Sequence, residues 1–457
     1  MWLASQMVGI LADSKDRWVN ESSSKTRPPL PAGPYLVVGL ARSGQAAARA
    51  LAGRGEEVIG CDSGAPEGAH GLAELGVELH LDTDGAALVQ RAGCVVKSPG
   101  VPREAPAIAA ALERDVPVIG ELELAWRLLP NRFVAVTGTN GKTTVTELLG
   151  HVWRTAGEPV AVAGNVGTPL ASLVGDAPAE ATVVCECSSF QLEDADAFAP
   201  ECALLLNVSA DHLDRHHNFD DYVQAKLRIF ARQEPRDWAI YDSSEAGLAG
   251  RRLPGRARVV DLAEVPLDDG LEGSSLPGPH NARNARAATA VALAMGIQRE
   301  AAAEALRTFP GVPHRLERVA EIAGVTYVND SKATNVAAAS AGLRSFHGGV
   351  RAILGGSLKG GGFAELAEPV RERCTGCYLI GPAADALERD LGPAWAAGVA
   401  HRRCDDLADA VRAAAANAIR GDVVLLSPAC ASFDAYRDFE QRGEHFRELV
   451  DELRQAR

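Results

Sequence analysis

The segment that most constrains the fold is a glycine-rich turn between a predicted strand and a predicted helix. Gly138–Thr144 reads G-T-N-G-K-T-T and directly follows the apolar run Phe133–Thr137. In such a turn, backbone N–H groups and the helix N-terminus bind phosphate oxygens, a lysine reaches the outer phosphates and a hydroxyl binds Mg²⁺. The spacing departs from the common G-x-x-x-x-G-K form because Val136 occupies the first glycine position. The turn predicts a nucleoside-triphosphate site with Lys142 and Thr143 in those two roles; an ordinary strand-to-helix turn is the alternative.

A second strand, turn and helix open the first folded block. Tyr35–Val38, the turn Gly39–Gly44 and the alanine-rich stretch Gln45–Arg54 lead into the strand Glu57–Cys61. This β-α-β pattern is typical of a nucleotide-binding half-fold. Because Ala41 occupies the middle position of the glycine turn, a dinucleotide, a different nucleotide and a purely structural turn all stay open.

Apolar runs alternate with helical stretches through the remaining sequence, which indicates mostly parallel sheets covered by helices. The further strand candidates are Val160–Val162, Thr182–Cys185, Ala203–Asn207, Val325–Val328, Val350–Leu354, Cys377–Ile380 and Val423–Leu426. The predicted fold class is α/β in three domains: a Rossmann-like N-terminal domain, a central P-loop-type ATPase domain with a mostly parallel sheet, and a C-terminal Rossmann-like α/β domain. The predicted boundaries are a flexible leader over 1–33, then 34–121, 122–311 and 312–457.

Charge and cysteine content narrow the class of function. Lys and Arg total 46 against 60 Asp and Glu, and this acidic excess argues against a nucleic-acid binder. No apolar run approaches the ~18 residues that span a bilayer, and Met1–Ala12 lacks the basic start of a signal peptide. The nine cysteines show no regular framework, which favours reduced thiols. We predict a cytoplasmic, monomeric protein without membrane insertion.

Polar residues collect after two predicted strands of the middle block. Glu186 follows one strand, and Asp211 and His212 follow the next. Parallel α/β sheets place ligand sites at these strand ends, and phosphoryl transfer to a carboxylate needs Mg²⁺ held by oxygen ligands. Glu186 and His212 are therefore candidate metal ligands, whereas Asp214–His217 are expected to be solvated. Lys226 lies on an amphipathic stretch, and its pattern alone predicts a surface lysine.

With these residues assembled, the chain resembles the Mur ligase family from about Val37 to its C-terminus. The matching segments, in family order, are V-T-G-T-N-G-K-T-T, A-G-N-V-G, E-C-S-S-F-Q-L-E, N-V-S-A-D-H-L-D-R-H, A-K-L-R-I-F, H-N-x-x-N, P-H-R, N-D-S-K-A-T-N and S-P-A-C-A-S-F-D. The resemblance implies an ATP-dependent acid–D-amino-acid ligase of peptidoglycan precursor synthesis. Such an enzyme joins D-glutamate to UDP-N-acetylmuramoyl-L-alanine through an acyl phosphate, and its cofactors are ATP and two Mg²⁺ ions. A sister ligase that adds a different amino acid is the alternative. An oxidoreductase built on the first domain would leave the phosphate loop and the metal cluster unexplained.

The resemblance also implies roles for individual residues. The catalytic residues would be Lys142, Glu186, His212, Lys226 and Lys332, and the metal ligands Thr143, Glu186, His212 and Lys226, the last as a carbamate. The ATP contacts would be Gly138, Thr139, Asn140, Gly141, Lys142, Thr143, Thr144, Asn281, Asn284, Arg315, Asp330 and Lys332. The UDP-sugar contacts would be Gly39, Arg42, Ser43, Asp62, Ser63, Ser98, Gly100, Asn165 and His212. The D-glutamate contacts would be Thr334, Lys359, Ser432, Phe433 and Phe439.

Overall fold

The computed structural model describes residues 25–209, 211, 215–216, 218–264, 279–358 and 362–455. The chain divides into two compact units. One comprises Met1–Ser274 and His280–Phe309, and the other comprises Ser275–Pro279 and Pro310–Arg457. The N-terminal and middle sheets belong to the first unit, and the C-terminal sheet belongs to the second.

The N-terminal sheet has five parallel strands in the order β3-β2-β1-β4-β5. They are β1 (Tyr35–Val38), β2 (Val58–Cys61), β3 (Glu78–His80), β4 (Cys94–Lys97) and β5 (Val118–Gly120). The helices are α1 (Arg42–Ala52) and α2 (Pro106–Glu113), with 3-10 turns at Ala69–Leu75 and Ala86–Arg91. All four residues of β1 are buried between two parallel neighbours, which explains its continuous apolar run.

The middle sheet has six parallel strands in the order β11-β10-β9-β6-β8-β7. They are β6 (Phe133–Thr137), β7 (Val160–Gly164), β8 (Thr182–Glu186), β9 (Cys202–Leu205), β10 (Trp238–Tyr241) and β11 (Arg258–Asp261). The helices are α3 (Glu121–Leu128), α4 (Lys142–Thr155), α5 (Ser189–Glu193), α6 (Phe219–Leu227), α7 (Pro279–Ala294) and α8 (Arg299–Thr308), with 3-10 turns at Leu170–Leu173 and Arg228–Phe230. Since β6 lies between β8 and β9, the turn after β6 opens between the carboxyl ends of both neighbours.

The C-terminal sheet is mixed, in the order β12-β13-β17-β14-β15-β16. Its strands are β12 (Glu317–Ile322), β13 (Val325–Asn329), β14 (Val350–Gly355), β15 (Cys374–Ile380), β16 (Ala400–Arg403) and β17 (Val423–Leu426). Its helices are α9 (Val336–Arg344), α10 (Ala367–Arg373), α11 (Ala384–Asp390), α12 (Gly392–Ala396), α13 (Leu407–Asn417) and α14 (Phe439–Gln455), with a 3-10 turn at Ala364–Leu366. Only β12 runs antiparallel, paired with β13 through a two-residue turn in which Ala323 and Gly324 both have positive φ.

A buried polar seam joins the N-terminal and middle sheets. Lys97, at the end of β4, forms an ion pair of 2.7 Å with Asp194, and both side chains are at most 4% exposed. Glu123 lies on α3, which directly follows β5 of the N-terminal sheet, and it accepts hydrogen bonds from the backbone N–H groups of Ala197 and Phe198, which precede β9 of the middle sheet. Ion pairs and hydrogen bonds are directional, so they fix how the two sheets lie within the first unit.

The predicted α/β fold with three sheets is confirmed, but the end of the leader differs from the expected flexible segment. Lys25 is buried and pairs with Asp237 at 2.6 Å. The Arg27 guanidinium lies 5.0 Å from the ring centres of Trp126 and Phe133. A buried ion pair and two cation–π contacts hold residues 25–33 against the first unit; residues 1–24 lie outside the described chain. Within the described part, no helix is long and apolar enough to cross a membrane.

Candidate active site

The phosphate loop after β6 has a conformation that requires its two glycines. Gly138 has φ 156° and Gly141 has φ 86°, a region that L side chains rarely adopt. A Cβ at Gly141 would lie 2.6 Å from the side-chain oxygen of Asn284 on α7. Asn207, after β9, accepts from the backbone N–H of Asn140 at 2.9 Å and donates to the Asn140 carbonyl at 3.0 Å. Asn207 thus fastens the loop to the segment after β9. On α7, the Asn284 amide donates to the side-chain oxygen of Asn281, one turn earlier, at 3.2 Å.

Two lysines converge on one carbonyl oxygen of this loop. Lys142 Nζ donates to the Gly138 carbonyl at 2.9 Å, and Lys226 Nζ, from α6, donates to the same oxygen at 2.9 Å. Lys226 is 1% exposed, so its predicted surface position is wrong. Burial, followed by the nearby charge of Lys142, lowers the pKa of Lys226 well below its ordinary value. The neutral amine of Lys226 is therefore easier to form than that of an exposed lysine.

A carboxylate lies beside the first helical turn after the loop. Glu186, the last residue of β8, is 3% exposed and accepts a 2.7 Å hydrogen bond from the Thr143 hydroxyl. Its other oxygen accepts from the Asn165 side chain at 3.0 Å. The structure brings together Lys142, Thr143, Glu186, Asn165 and Lys226 around the loop after β6, and the roles that the family resemblance implies for them stay predictions.

An aromatic contact that the sequence did not reveal supports Lys226. Lys226 Nζ lies 4.5 Å from the centre of the Tyr222 ring, one turn earlier on α6, and the Tyr222 hydroxyl is 3.1 Å from the Thr139 hydroxyl. Burial raises the pKa of Tyr222 to about 12. His216 packs edge-on against Tyr222, stacks on Phe190 and is 3% exposed. The expectation that His216 is solvated is therefore wrong, because aromatic rings cover it on two sides.

The glycine turn of the N-terminal sheet is braced by its own polar residues. Asp62 accepts hydrogen bonds from the backbone N–H of Leu40 at 2.6 Å and of Gly64 at 2.9 Å, and Ser98 donates to the Gly39 carbonyl at 2.6 Å. A Cβ at Gly44 would lie 1.7 Å from the Gly39 oxygen, so the turn needs this glycine. These hydrogen bonds and the close approach at Gly44 fix the conformation of the turn. Its contacts with a UDP-sugar stay predictions.

The other predicted UDP-sugar contacts near this turn are partly or fully exposed. Ser63 and Gly100 are exposed, and Ser43 is half-buried. Arg42 donates to the carbonyl of Gly167, in the same A-G-N-V-G loop as Asn165. The glycine turn and the Asn165 loop therefore meet within the first unit.

In the second unit, the predicted ATP contact Asp330 is buried and held by hydrogen bonds. Asp330 is 4% exposed and accepts from the Ser427 hydroxyl at 2.7 Å and the Leu316 N–H at 3.2 Å. Burial raises the pKa of Asp330 to about 7, against opposing effects of Ser427 and the Arg315 charge. The Lys332 ammonium lies 5.5 Å from the centre of the Phe439 ring.

A buried arginine joins the two loops that carry three of the predicted D-glutamate contacts, Thr334, Ser432 and Phe433. Arg442 donates to the Ser331 hydroxyl at 2.9 Å and to the carbonyls of Ser331, Cys430 and Ala431 at 2.8, 3.1 and 3.1 Å. Ser432, next in the second loop, is 2% exposed, whereas Phe433 is 72% exposed. The structure thus gathers the 330–334 and 430–433 loops and Phe439 in one region, through a residue that the sequence analysis missed.

Three family models match the chain: the MurD-like N-terminal domain over 34–120, the Mur ligase middle domain over 136–252, and the Mur ligase glutamate ligase domain over 314–430. Together they cover well over half of its residues. The chain belongs to the Mur ligase family. This Mur ligase is 40% identical over 447 residues to the UDP-N-acetylmuramoylalanine–D-glutamate ligase of Pelotomaculum thermopropionicum, covering 92% of this chain and 98% of that protein. It is 42% identical over 443 residues to the Geobacter metallireducens protein of the same name, covering 92% and 97%.

Solved structures agree on the fold of this Mur ligase. UDP-N-acetylmuramate–alanine ligase MurC from Thermotoga maritima aligns with a TM-score of 0.58 at 18% identity, over 93% of this chain and 100% of that one. MurF ligase from Thermotoga maritima, in complex with ADP, aligns with a TM-score of 0.57 at 18% identity, over 86% and 95%. At these identities the likeness supports the fold alone.

Two predicted site residues of this Mur ligase, His212 and Lys359, lie outside the described residues. Among the residues that are described, no group of three or more His, Cys, Asp and Glu side chains could hold a metal ion. Glu186 and Thr143 nonetheless offer the oxygen donors that Mg²⁺ prefers, beside the glycine loop after β6. The donor chemistry therefore fits the metal.

Proposed function

We propose that this Mur ligase uses ATP to join D-glutamate to UDP-N-acetylmuramoyl-L-alanine in peptidoglycan precursor synthesis. The observation that carries the proposal is the cluster after β6 and β8, where Lys142, Lys226 and the Glu186–Thr143 pair meet at the phosphate loop. The names of relatives that match over almost their whole length support the choice of D-glutamate over another amino acid.

The chemistry follows from the poor reactivity of carboxylates. An amine cannot expel oxide from a carboxylate, so the substrate's terminal carboxylate first attacks the γ-phosphorus of ATP, and ADP leaves. The D-glutamate amine then attacks the acyl carbon, loses a proton and expels phosphate. Lys142 would bind the outer phosphates, and Lys332 would offset negative charge on the transferring group.

Glu186 and Thr143 would hold Mg²⁺ on the nucleotide side, with His212 as a further ligand. When bound, Mg²⁺ neutralises phosphate charge and orients the transferring group. The side-chain amide of Asn165 already fixes one oxygen of Glu186 at 3.0 Å, which leaves the carboxylate oriented before any ligand arrives.

Lys226 would supply a second set of oxygen donors as a carbamate. Carbamate formation needs a neutral amine: the nitrogen bonds to the carbon of CO₂ and releases a proton. The lowered pKa of the buried Lys226 supports this reaction. The proposal includes two Mg²⁺ ions, and the carbamate would help to hold the second.

The second unit would bind D-glutamate. Ser432 and Thr334 would donate hydrogen bonds to the amino acid, Phe433 and Phe439 would line its site, and Lys359 would pair with a carboxylate. The rigid connection through Arg442 supports a shared function for the two loops. Arg315, Asp330 and Lys332 would contact the nucleotide.

A coupled phosphate-release assay tests the proposal. Phosphate should appear only when ATP, UDP-N-acetylmuramoyl-L-alanine and D-glutamate are all present. L-Glutamate, L-alanine and diaminopimelate, each in place of D-glutamate, should give rates near background. Equal release without the UDP-sugar would refute ligase chemistry on this substrate, and preference for another amino acid would favour a sister ligase.

A cytoplasmic location and a monomeric state stay predictions. All nine cysteines are buried free thiols, which supports a reducing compartment.

A further inference from the structure

Arg315 lies in the second unit and is a proposed ATP contact. It is flanked by two residues with strained backbone conformations. His314 has φ 60° and Leu316 has φ 46°, although neither is a glycine. Such left-handed residues persist only where the surroundings fix them, and they concentrate at functional sites. The direction in which Arg315 leaves the backbone thus depends on whatever holds its two neighbours.

Glu317 holds the first of these neighbours. Its Oε2 accepts a hydrogen bond from the His314 N–H at 2.8 Å. Its Oε1 accepts from Nε and Nη2 of Arg447 at 2.9 and 2.6 Å. Arg447 lies on α14, so the C-terminal helix locks the carboxylate that caps the strained turn.

The same helix provides a seat for the His314 ring. A Cβ at Gly443 would lie 2.1 Å from His314 Nδ1, so this position has room for the ring only because it is glycine. The Asn329 side chain lies 2.9 Å from that ring nitrogen. Gly443 and Arg447 are four residues apart and lie on one face of α14, where both support the turn.

We propose that Glu317, clamped by Arg447, is a positioning residue that presents Arg315 to the nucleotide. The inference rests on the proposed role of Arg315 as an ATP contact and adds what fixes its orientation. Glu317 acts through the backbone of His314, because its carboxylate oxygens accept hydrogen bonds from His314, Asn329 and Arg447. Loss of the clamp should therefore weaken ATP binding more than it slows the chemical step.

Two variants test the clamp from its two ends: Glu317→Ala and Arg447→Met. Each should raise KM for ATP by about tenfold, while kcat at saturating ATP and KM for D-glutamate change less than about threefold. Glu321→Ala and Arg318→Met are the matched controls, because they alter an exposed carboxylate–arginine pair next to Glu317 on β12. The controls should leave all three parameters unchanged. Thermal unfolding of each protein checks that it is folded, and Arg447→Met keeps the test available if Glu317→Ala does not fold.

Arg315→Ala separates this inference from the proposed function. If Arg315→Ala itself leaves KM for ATP unchanged, both the ATP contact and its positioning are wrong. If Arg315→Ala raises KM for ATP and neither clamp variant does, only the positioning is wrong. In the double variant Arg315→Ala/Glu317→Ala, the second change should add nothing, because Glu317 acts through Arg315. A further rise in KM for ATP would overturn the inference.

Discussion

Replacing Lys226 by Met separates the chemistry of this side chain from its packing. The side chain is 1% exposed and donates to the Gly138 carbonyl at 2.9 Å. That carbonyl keeps its 2.9 Å hydrogen bond from Lys142 in the variant, so no buried acceptor is left unpaired. The lost hydrogen bond costs about 1 kcal/mol, and removal of a buried amine offsets part of this. We expect the free energy of unfolding to change by less than about 1 kcal/mol.

In Lys226→Met, the loss of turnover should be far larger than the loss of stability. Loss of a group that holds the charge-neutralising metal should reduce kcat by about 100-fold or more, equivalent to about 2.7 kcal/mol of transition-state stabilisation. The assay is phosphate release with all three substrates, run beside denaturant unfolding of the same samples. Depletion of dissolved CO₂ should slow the native enzyme and leave the residual rate of Lys226→Met unchanged. Near-normal turnover in Lys226→Met would refute the carbamate.

Lys25→Met is the matched control, because Lys25 is also a buried lysine of the first unit. It leaves the buried Asp237, its ion-pair partner at 2.6 Å, without the charge that faces it. We expect a loss of about 3 kcal/mol in stability with kcat unchanged while the protein is folded. Lys226→Met should thus lower kcat and leave stability nearly unchanged, whereas Lys25→Met should lower stability and leave kcat unchanged. If the loss of any buried lysine had the same general effect, the two variants would not differ in this way.

Three other outcomes are expected. Glu186→Gln should lower kcat by about 100-fold and raise the Mg²⁺ concentration needed for half-maximal phosphate release, because an amide binds the cation more weakly; an unchanged Mg²⁺ dependence would contradict the metal role. Burial raises the pKa of Glu121 to about 7, so its protonated form stabilises the fold fully below pH ~4.5, and this contribution is lost as pH rises through 7. Denaturant unfolding should therefore show Glu121→Gln gaining stability relative to the native protein between pH 5 and 8, by up to roughly 3 kcal/mol; a constant difference would contradict the assignment. Asp194→Ala should leave Lys97 buried without its ion-pair partner and destabilise the first unit by about 3 kcal/mol, as measured by denaturant unfolding. An unchanged denaturant midpoint would mean that the ion pair makes no net contribution to stability.

The sequence predicted those parts of the fold that local patterns determine. The bounds of Phe133–Thr137 and Val423–Leu426 agree with the structure because both strands are apolar runs between parallel neighbours. The edge strand β12 was missed, since Glu317–Ile322 mixes charged and apolar residues and five of its six positions are not fully buried. Hairpin pairing with β13 makes it a strand, and no local pattern records that pairing.

In the candidate site, too, local sequence patterns predicted some residues, whereas the placement of others depends on tertiary packing. Lys142 and Thr143 were predictable because the glycine turn, the strand and the helix are adjacent in sequence. The burial of Lys226 and His216 was not, because it depends on packing between α5, α6 and the phosphate loop. The strained turn around Arg315 was also hidden, since the residues that hold it, Glu317 and Arg447, are far apart in the chain. The ligand contacts of all these residues stay predictions.

In the proposed reaction, the γ-phosphoryl group of ATP passes to a carboxylate oxygen of the UDP-sugar substrate. Oxygen-18 placed in both oxygens of the terminal carboxylate of UDP-N-acetylmuramoyl-L-alanine tests this transfer directly, because the oxygen that attacks ATP must leave with phosphate. One labelled oxygen should appear in each phosphate released in the presence of D-glutamate, as measured by mass spectrometry. Phosphate that carries only unlabelled oxygen, while the peptide bond still forms, would contradict the account.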